Sequence, residues 1–437
     1  GLFRNSFLKF QITMFKEDFL HYIWKFKRFK SQDLVTTNGE LIQIIKVGLH
    51  NQDAGPDFFN AQLKIGKTIW AGNVEIHLKS SDWNTHNHQK DSAYDNVILH
   101  VVFEHNGEVK NTKSNSIPTL ELKENIDLDL LHNYHQLIYS KNKIACGNQV
   151  TKISKFEFDN WLERLLLERL ERKIGLIKTH LENNKNNIDE TFYHFLFKYF
   201  GLNVNSIPFE QLAQNTPLKI IEKHPQLISI EALLFGQAGF LNENLDDDYF
   251  QRLKKEYAFL QSKFQLQAIE KVTWKFSKLR PSNFPTIRIS QLAMLLKKHP
   301  RLFSRILELS DVKEIQQLLQ TSASDYWLTR YQFGVVSKSK PKKMGKTMLN
   351  TIIINVVAPF LFVYGKLQQQ EKYVALALEL LEKTPPESNS IIAGWEAMGI
   401  EPTNSATTQA LIELKTNYCS QKKCLNCQVG VKLLSTF

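Results

Sequence analysis

The chain has 437 residues, 43% of them hydrophobic, and a formal net charge of +11. That length allows two or three domains, and that apolar share supplies a sizeable core, which excludes a globally disordered chain. Four cysteines are too few for a disulfide-built secreted scaffold, and three of them fall within nine residues, which favours metal or redox chemistry in a reducing compartment.

Residues 1–13 differ in character from the sequence after Met14 and are expected to be an upstream extension or a tag remnant. They contain no secretory cleavage site, so a cytoplasmic protein is expected. Phe19–Lys30 (FLHYIWKFKRFK) predicts an amphipathic helix. Strands are predicted at Leu41–Leu49, Ala61–Ile65, Thr68–Lys79, Val97–Glu104 and Thr119–Leu122. Turns fall at Asn51–Pro56 and Gly66–Lys67, and His105-Asn106-Gly107 predicts a hairpin toward Val109. Short strands with few helices between them imply a mixed or antiparallel sheet.

Near Val150 the periodicity changes to that of helices, beginning with Phe156–Leu181. The apolar run Met348–Tyr364 contains Asn350, Asn355 and Pro359 and falls short of the ~20 residues of a spanning helix. It is expected to be a buried core helix, with no membrane partner. The fold class is therefore α+β. A mixed α/β sheet domain is expected over 14–150, followed by a larger all-α region over 151–437 that ends in the cysteines. Charge divides along the same line. Residues 14–150 carry 15 Lys and Arg against 16 Asp and Glu, while residues 151–437 carry 38 against 28. A basic helical region points to a polyanionic partner, nucleic acid first.

The chemistry-bearing stretches are Gly55-Pro56-Asp57-Phe58 and Asn73-Val74-Glu75-Ile76-His77-Leu78-Lys79. Asp57 follows a turn at a strand start, and Glu75 lies in the next strand. Neighbouring strands bring such carboxylates within about 5 Å. Alternation puts Glu75, His77 and Lys79 on one face. Paired carboxylates suit Mg²⁺ or Mn²⁺, which takes phosphate oxygens as further ligands. Four histidines, 77, 86, 88 and 100, fall within 24 residues and suit zinc or manganese. The plain alternative is a turn aspartate, a strand glutamate and solvated histidines.

This spacing resembles the PD-(D/E)-x-K nuclease superfamily, with Pro56-Asp57 and Glu75 in the matching places. His77 stands where that superfamily has lysine, and Lys79 lies two residues on along the same face. The resemblance implies a restriction-endonuclease-like sheet, a metal ion on Asp57 and Glu75, and a water-orienting or charge-stabilising role for His77 or Lys79. A second resemblance covers nearly the whole chain from Met14. It rests on Gly55–Phe58, Glu75–His77, Ser81-Asp82-Trp83, Asp91–Tyr94, Leu99–Val102, Arg280–Pro285, Asn355–Pro359 and the terminal cysteines. These are similar to the bacterial family known as domain of unknown function 2851, which implies no activity.

Cys419-x4-Cys424-x2-Cys427 can place three thiols on one centre, with Cys146 as the fourth ligand of a zinc ion or an iron–sulfur cluster. Lys338, Lys340, Lys342, Lys343 and Lys346 form an expected exposed loop that either tracks phosphates or is simply solvated. The function expected is a metal-dependent nuclease or a nuclease-derived nucleic-acid-binding protein. The alternative is a non-catalytic module that binds protein or RNA and keeps a degenerate α/β site.

Overall fold

The computed structural model describes residues 15–435 apart from Gln52, so the expected extension at 1–13 lies outside it. Helix α1, Glu17–Phe26, buries Phe19, Leu20, Tyr22, Ile23 and Trp24 along one face. It ends four residues before the predicted end. Lys27 turns left-handed (φ 50°), and the Lys27 and Arg28 N–H groups fold back onto the Trp24 and Ile23 carbonyls.

The sheet comes next: β1 (Ile42–Lys46), β2 (Leu49–His50), β3 (Phe58–Ile65), β4 (Thr68–Lys79), β5 (Val97–Glu104) and β6 (Thr119–Glu121). Its order is β1-β3-β4-β5-β6, with β2 also pairing β3. Strands β1, β3 and β4 are antiparallel neighbours, whereas β4–β5 and β5–β6 are parallel. The twelve residues of β4 divide in two. Thr68–Ala71 are exposed on the hairpin with β3, while Gly72–His77 are buried between β3 and β5. Every residue of β5 but Glu104 is buried, as expected of a parallel strand covered on both faces.

The expected hairpin at His105–Gly107 is not formed. The chain leaves β5 toward β6, which runs parallel to it, and a parallel partner cannot follow a tight turn. Asn106 instead holds the end of β4: its Oδ1 accepts from the Ser80 hydroxyl and the Ser81 N–H, each at 2.9 Å. Between β4 and β5 lies the short helix α2 (Asp82–Thr85), whose Trp83 is fully buried against Val97, Val109 and Ile117. The Trp83 indole donates to the Lys110 carbonyl at 3.0 Å, so the polar loop around it has a fixed apolar floor.

The chain divides into two compact units. One holds the described residues up to Phe158 together with those from Leu414 onward, and the other is Asp159–Glu413. The sequence expectation placed everything after 151 with the helices. The C-terminal segment belongs instead with the sheet, where helix Gln428–Ser435 packs on helix α3 (Leu128–Ile138). Lys432 pairs with Glu157 at 2.7 Å, and the Lys422 ammonium donates to the Ser140 carbonyl at 3.0 Å.

The second unit is helical apart from the small hairpin β7 (Arg330–Gln332) and β8 (Val335–Val336). Its core is built on buried aromatics. The Phe192 ring lies 5.1 Å from Phe303 and 5.2 Å from Phe360. Burial of each such side chain contributes about 1.5–3 kcal/mol. The expected core helix runs unbroken over Lys346–Leu367, 22 residues, longer than its apolar run suggests. It is long and apolar enough to cross a membrane, yet 78% of its apolar window is buried within the protein. A wide π-turn at Ile353–Val357 precedes Pro359 and makes room for a ring that would otherwise meet the Asn355 carbonyl.

Candidate functional site

Asp57 lies just before β3, and Glu75 lies in the buried half of the adjacent β4. The fold brings the two carboxylates together, and each reaches the other strand's backbone. The Ile76 N–H donates to Asp57 Oδ2 at 2.9 Å, and the Asp57 N–H donates to Glu75 Oε2 at 3.1 Å. Charged acceptors of this kind make the stronger class of hydrogen bond, so both side chains are held in fixed positions.

Two residues that sequence reasoning does not single out complete this side of the site. Helix α1 presents Glu17 and His21, one turn apart, toward Asp57. His21 Nε2 lies 3.2 Å from Asp57 Oδ2 and 3.8 Å from Glu17 Oε1. One ligand atom from each of the three falls within 4.8 Å of the others. Burial, reinforced by the Asp57 charge, pushes the Glu17 carboxyl up to about 7. The Glu75 carboxyl is raised too, by burial foremost. Three acidic groups share a poorly hydrated pocket, and a cation there relieves both desolvation and mutual repulsion. The i, i+4 spacing of Glu17 and His21 was the available signal, since it sets both on one helix face.

The histidines gather on the other side of Glu75. His88 Nε2 is 3.3 Å and His77 Nε2 is 3.6 Å from Glu75 Oε1. His77 Nε2 and His86 Nδ1 are 3.1 Å apart, and His77 Nδ1 meets His100 Nε2 at 2.8 Å. His77 and His100 are buried, and burial pushes their imidazoles down to about 2 and about 3, so both are neutral at physiological pH. The fixed apolar floor supports the ring of His88, which stacks on Tyr94 (3.8 Å) beside Trp83. His86 is exposed. Lys79, expected on the same face, is exposed at the end of β4, and its ammonium makes no ion pair among the described residues.

The four cysteines all lie in the sheet-bearing unit. None is in a disulfide; Cys146 and Cys427 are buried, and Cys419 and Cys424 are half-buried. Burial foremost, with the nearby Cys427 and Cys424, pushes the Cys146 thiol up to about 12. The Cys419 thiol is raised in the same way, with Cys146 the largest of its charged neighbours. Cys146 thus lies near enough to the terminal cysteines to feel their charge, although Cys419 stands 273 positions further along the chain. Ionising these thiols requires a compensating cation.

The lysine run Lys338–Lys346 departs from the expected free loop. The Ala323 N–H donates to the Lys342 carbonyl at 3.1 Å, and the Met344 N–H donates to the Thr321 carbonyl at 2.9 Å. These bonds pin the segment, and Lys342 and Met344 point inward while Lys343 points outward. Lys342 is 5% exposed, donates to the Leu328 carbonyl at 2.7 Å and sits 4.3 Å over the Tyr331 ring. It is a structural lysine, and Lys338, Lys340, Lys343 and Lys346 are the exposed ones. The helical unit also has a cavity of about 930 Å³ lined by Tyr199, Asn203, Asn350, Asn355 and Asn389, with Glu387 as its one acid.

No curated protein and no solved structure matches the chain. A family model described as "Protein of unknown function (DUF2851)" matches residues 17–390, from the first residue of α1 through most of the helical unit. The match spans well over half of the chain, which therefore belongs to the DUF2851 family.

Proposed function

We propose that the protein is a metal-dependent phosphodiesterase acting on nucleic acid, with its reaction centre at Asp57 and Glu75. The observation that carries this reading is the fixed convergence of the two carboxylates, with Glu17 and His21 closing one side. A Mg²⁺ or Mn²⁺ ion held there would polarise a phosphate oxygen and lower the pKa of a bound water. Lys79 is free to approach a phosphate. The exposed Lys338, Lys340, Lys343 and Lys346 supply sequence-independent contacts to the backbone. Cys146, Cys419, Cys424 and Cys427 are read as a structural zinc or iron–sulfur site, and four free thiols fit a reducing, cytoplasmic setting.

The test is a cleavage screen on single- and double-stranded DNA and RNA with Mg²⁺, Mn²⁺ and no metal. Asp57→Asn and Glu75→Gln are the variants of choice, because each keeps the oxygen that accepts the neighbouring strand's N–H. Metal-dependent cleavage is expected, reduced about 10³-fold or more in either variant, since metal stabilisation of transition-state charge is worth several kcal/mol. Nucleic-acid binding should survive both substitutions. Binding without cleavage under any metal would favour the non-catalytic module instead.

A further inference from the structure

The histidines form a second arrangement with its own chemistry, separate from the acidic pocket around Asp57. Three imidazoles gather from three pieces of chain, His77 from β4, His86 just past α2 and His88 on the turn above Trp83, and the Glu75 carboxylate lies beside two of them. Three of the separations match those within a coordination shell. Metal–ligand bonds of ~2.0–2.1 Å at tetrahedral angles set neighbouring donors about 3.3–3.4 Å apart. His77 and His86 stand 3.1 Å apart, and Glu75 lies 3.3 Å from His88 and 3.6 Å from His77. One ring nitrogen from each of His77, His86 and His88 lies within 4.8 Å of the other two.

Two further features fit ligation better than hydrogen bonding. His88 Nε2 is buried 3.3 Å from Glu75 Oε1 and makes no well-directed hydrogen bond among the described residues. Behind the site, His100 Nε2 meets His77 Nδ1, which orients the ring and leaves His77 Nε2 to the front. A ligating histidine is almost always held this way through its second nitrogen.

We infer that His77, His86 and His88, with Glu75 alongside, bind a first-row transition metal ion of the Zn²⁺ class, so that the sheet carries two adjacent metal positions. Imidazole suits Zn²⁺, Fe²⁺ and Ni²⁺, whereas Mg²⁺ prefers carboxylate and water oxygens. The acidic side, with Glu17, His21 and Asp57, is the carboxylate-rich position, and Glu75 lies between the two. Its Oε1 faces the imidazoles and its Oε2 faces the Asp57 amide. His77 is then a ligand, not the water-orienting base that its place in the motif suggests. The inference shares Glu75 with the proposed function, but metal uptake is read without catalysis.

The experiment uses the full chain, stripped of metal and titrated with Co²⁺ as a spectroscopic probe. The histidine position is expected to give visible d–d bands of a four- or five-coordinate ion. Those bands come without the near-ultraviolet thiolate-to-metal charge transfer that marks Co²⁺ on the cysteines. His86→Ala removes one donor from an exposed residue whose side chain has His77 as its described hydrogen-bond partner. It should weaken this binding more than about a hundredfold, beyond the ~10–100-fold effect of changing an outer-shell partner. It should leave the thiolate band intact. Asp57→Asn should keep the histidine-bound ion, and excess Mg²⁺ should not displace it. The same Co²⁺ stoichiometry and spectrum in His86→Ala and in His88→Ala would overturn the inference. Cobalt bound as expected in a protein that cleaves nothing would leave it standing and remove the phosphodiesterase reading alone.

Discussion

Lys342 and its neighbours separate packing from binding within nine residues. Lys342→Ala loses a charge-assisted bond to the Leu328 carbonyl and the stacking on Tyr331. A loss of about 2–3 kcal/mol of stability is expected, visible in thermal melting. Changing Lys338, Lys340, Lys343 and Lys346 together to Gln should leave melting nearly unchanged. That variant should flatten the salt dependence of nucleic-acid binding by up to ~0.9 per lost phosphate contact on duplex DNA. An unaltered slope would mark the run as solvated charge. Composition could not single out Lys342, because the inward and outward turns of this segment are fixed by pairing with residues 321–323, far off in sequence. The same limit shaped the reading of the site. Asp57 and Glu75 were legible because turn, strand and alternation are local rules. Glu17 and His21 belong to a helix whose facing partner is a tertiary fact, and no local rule aims that face at Asp57.

Strand β4 shows how tightly an element must sit for such a site to exist. A Cβ on Gly72 would lie 2.4 Å from Ile98 Cγ2 and 2.6 Å from the Asn96 carbonyl oxygen. The isoleucine can rotate away, but the carbonyl is fixed by the Asn73 N–H it accepts at 2.8 Å. Gly72→Ala is therefore expected to push β4 off β5 three residues before Glu75. Overpacking of this kind costs roughly 1–3 kcal/mol. The informative readout is a parallel loss of Co²⁺ at the histidines. Gly107→Ala is the control, with nothing within 4 Å of its added Cβ and an effect inside about ±0.5 kcal/mol. Equal behaviour of the two variants would show that the crossing near Ile98 does not govern the site. Strands β4 and β5 were legible to the residue, since alternation and β-branched runs are strong local signals. The direction of β6 was not, because Asn106 carries turn chemistry whose use here, holding Ser80 and Ser81, depends on where β4 ends.

At the scale of the whole chain, the sheet-bearing unit is completed only by the residues after Leu414, and the cysteines are its expected fastening. Structural zinc contributes ~10–16 kcal/mol to the folding of small metal-built domains, as much as the ~5–15 kcal/mol net stability of an ordinary domain. Protein purified anaerobically should contain zinc, or iron with a visible chromophore. Cys146→Ser should lower the melting temperature of the sheet-bearing unit far more than His86→Ala does. Metal-free protein that melts as cooperatively as before, with no effect of Cys146→Ser, would reduce the four to ordinary buried thiols. Periodicity placed the change to helices near residue 150, close to the division after Phe158, but it could not return the last segment to the sheet. Only the cysteine spacing hinted at that long-range closure. The closure also fixes an order of events at the ribosome. Residues 159–413 must be made before Cys419 exists, which takes on the order of 10–50 s at ~5–20 residues per second. Throughout that interval the nascent sheet waits with helix α3 uncovered, while the helical unit, contiguous in sequence, is free to fold. A ribosome that stalls just short of Cys419 thus leaves the unit it began first, not the one it began second, unfinished.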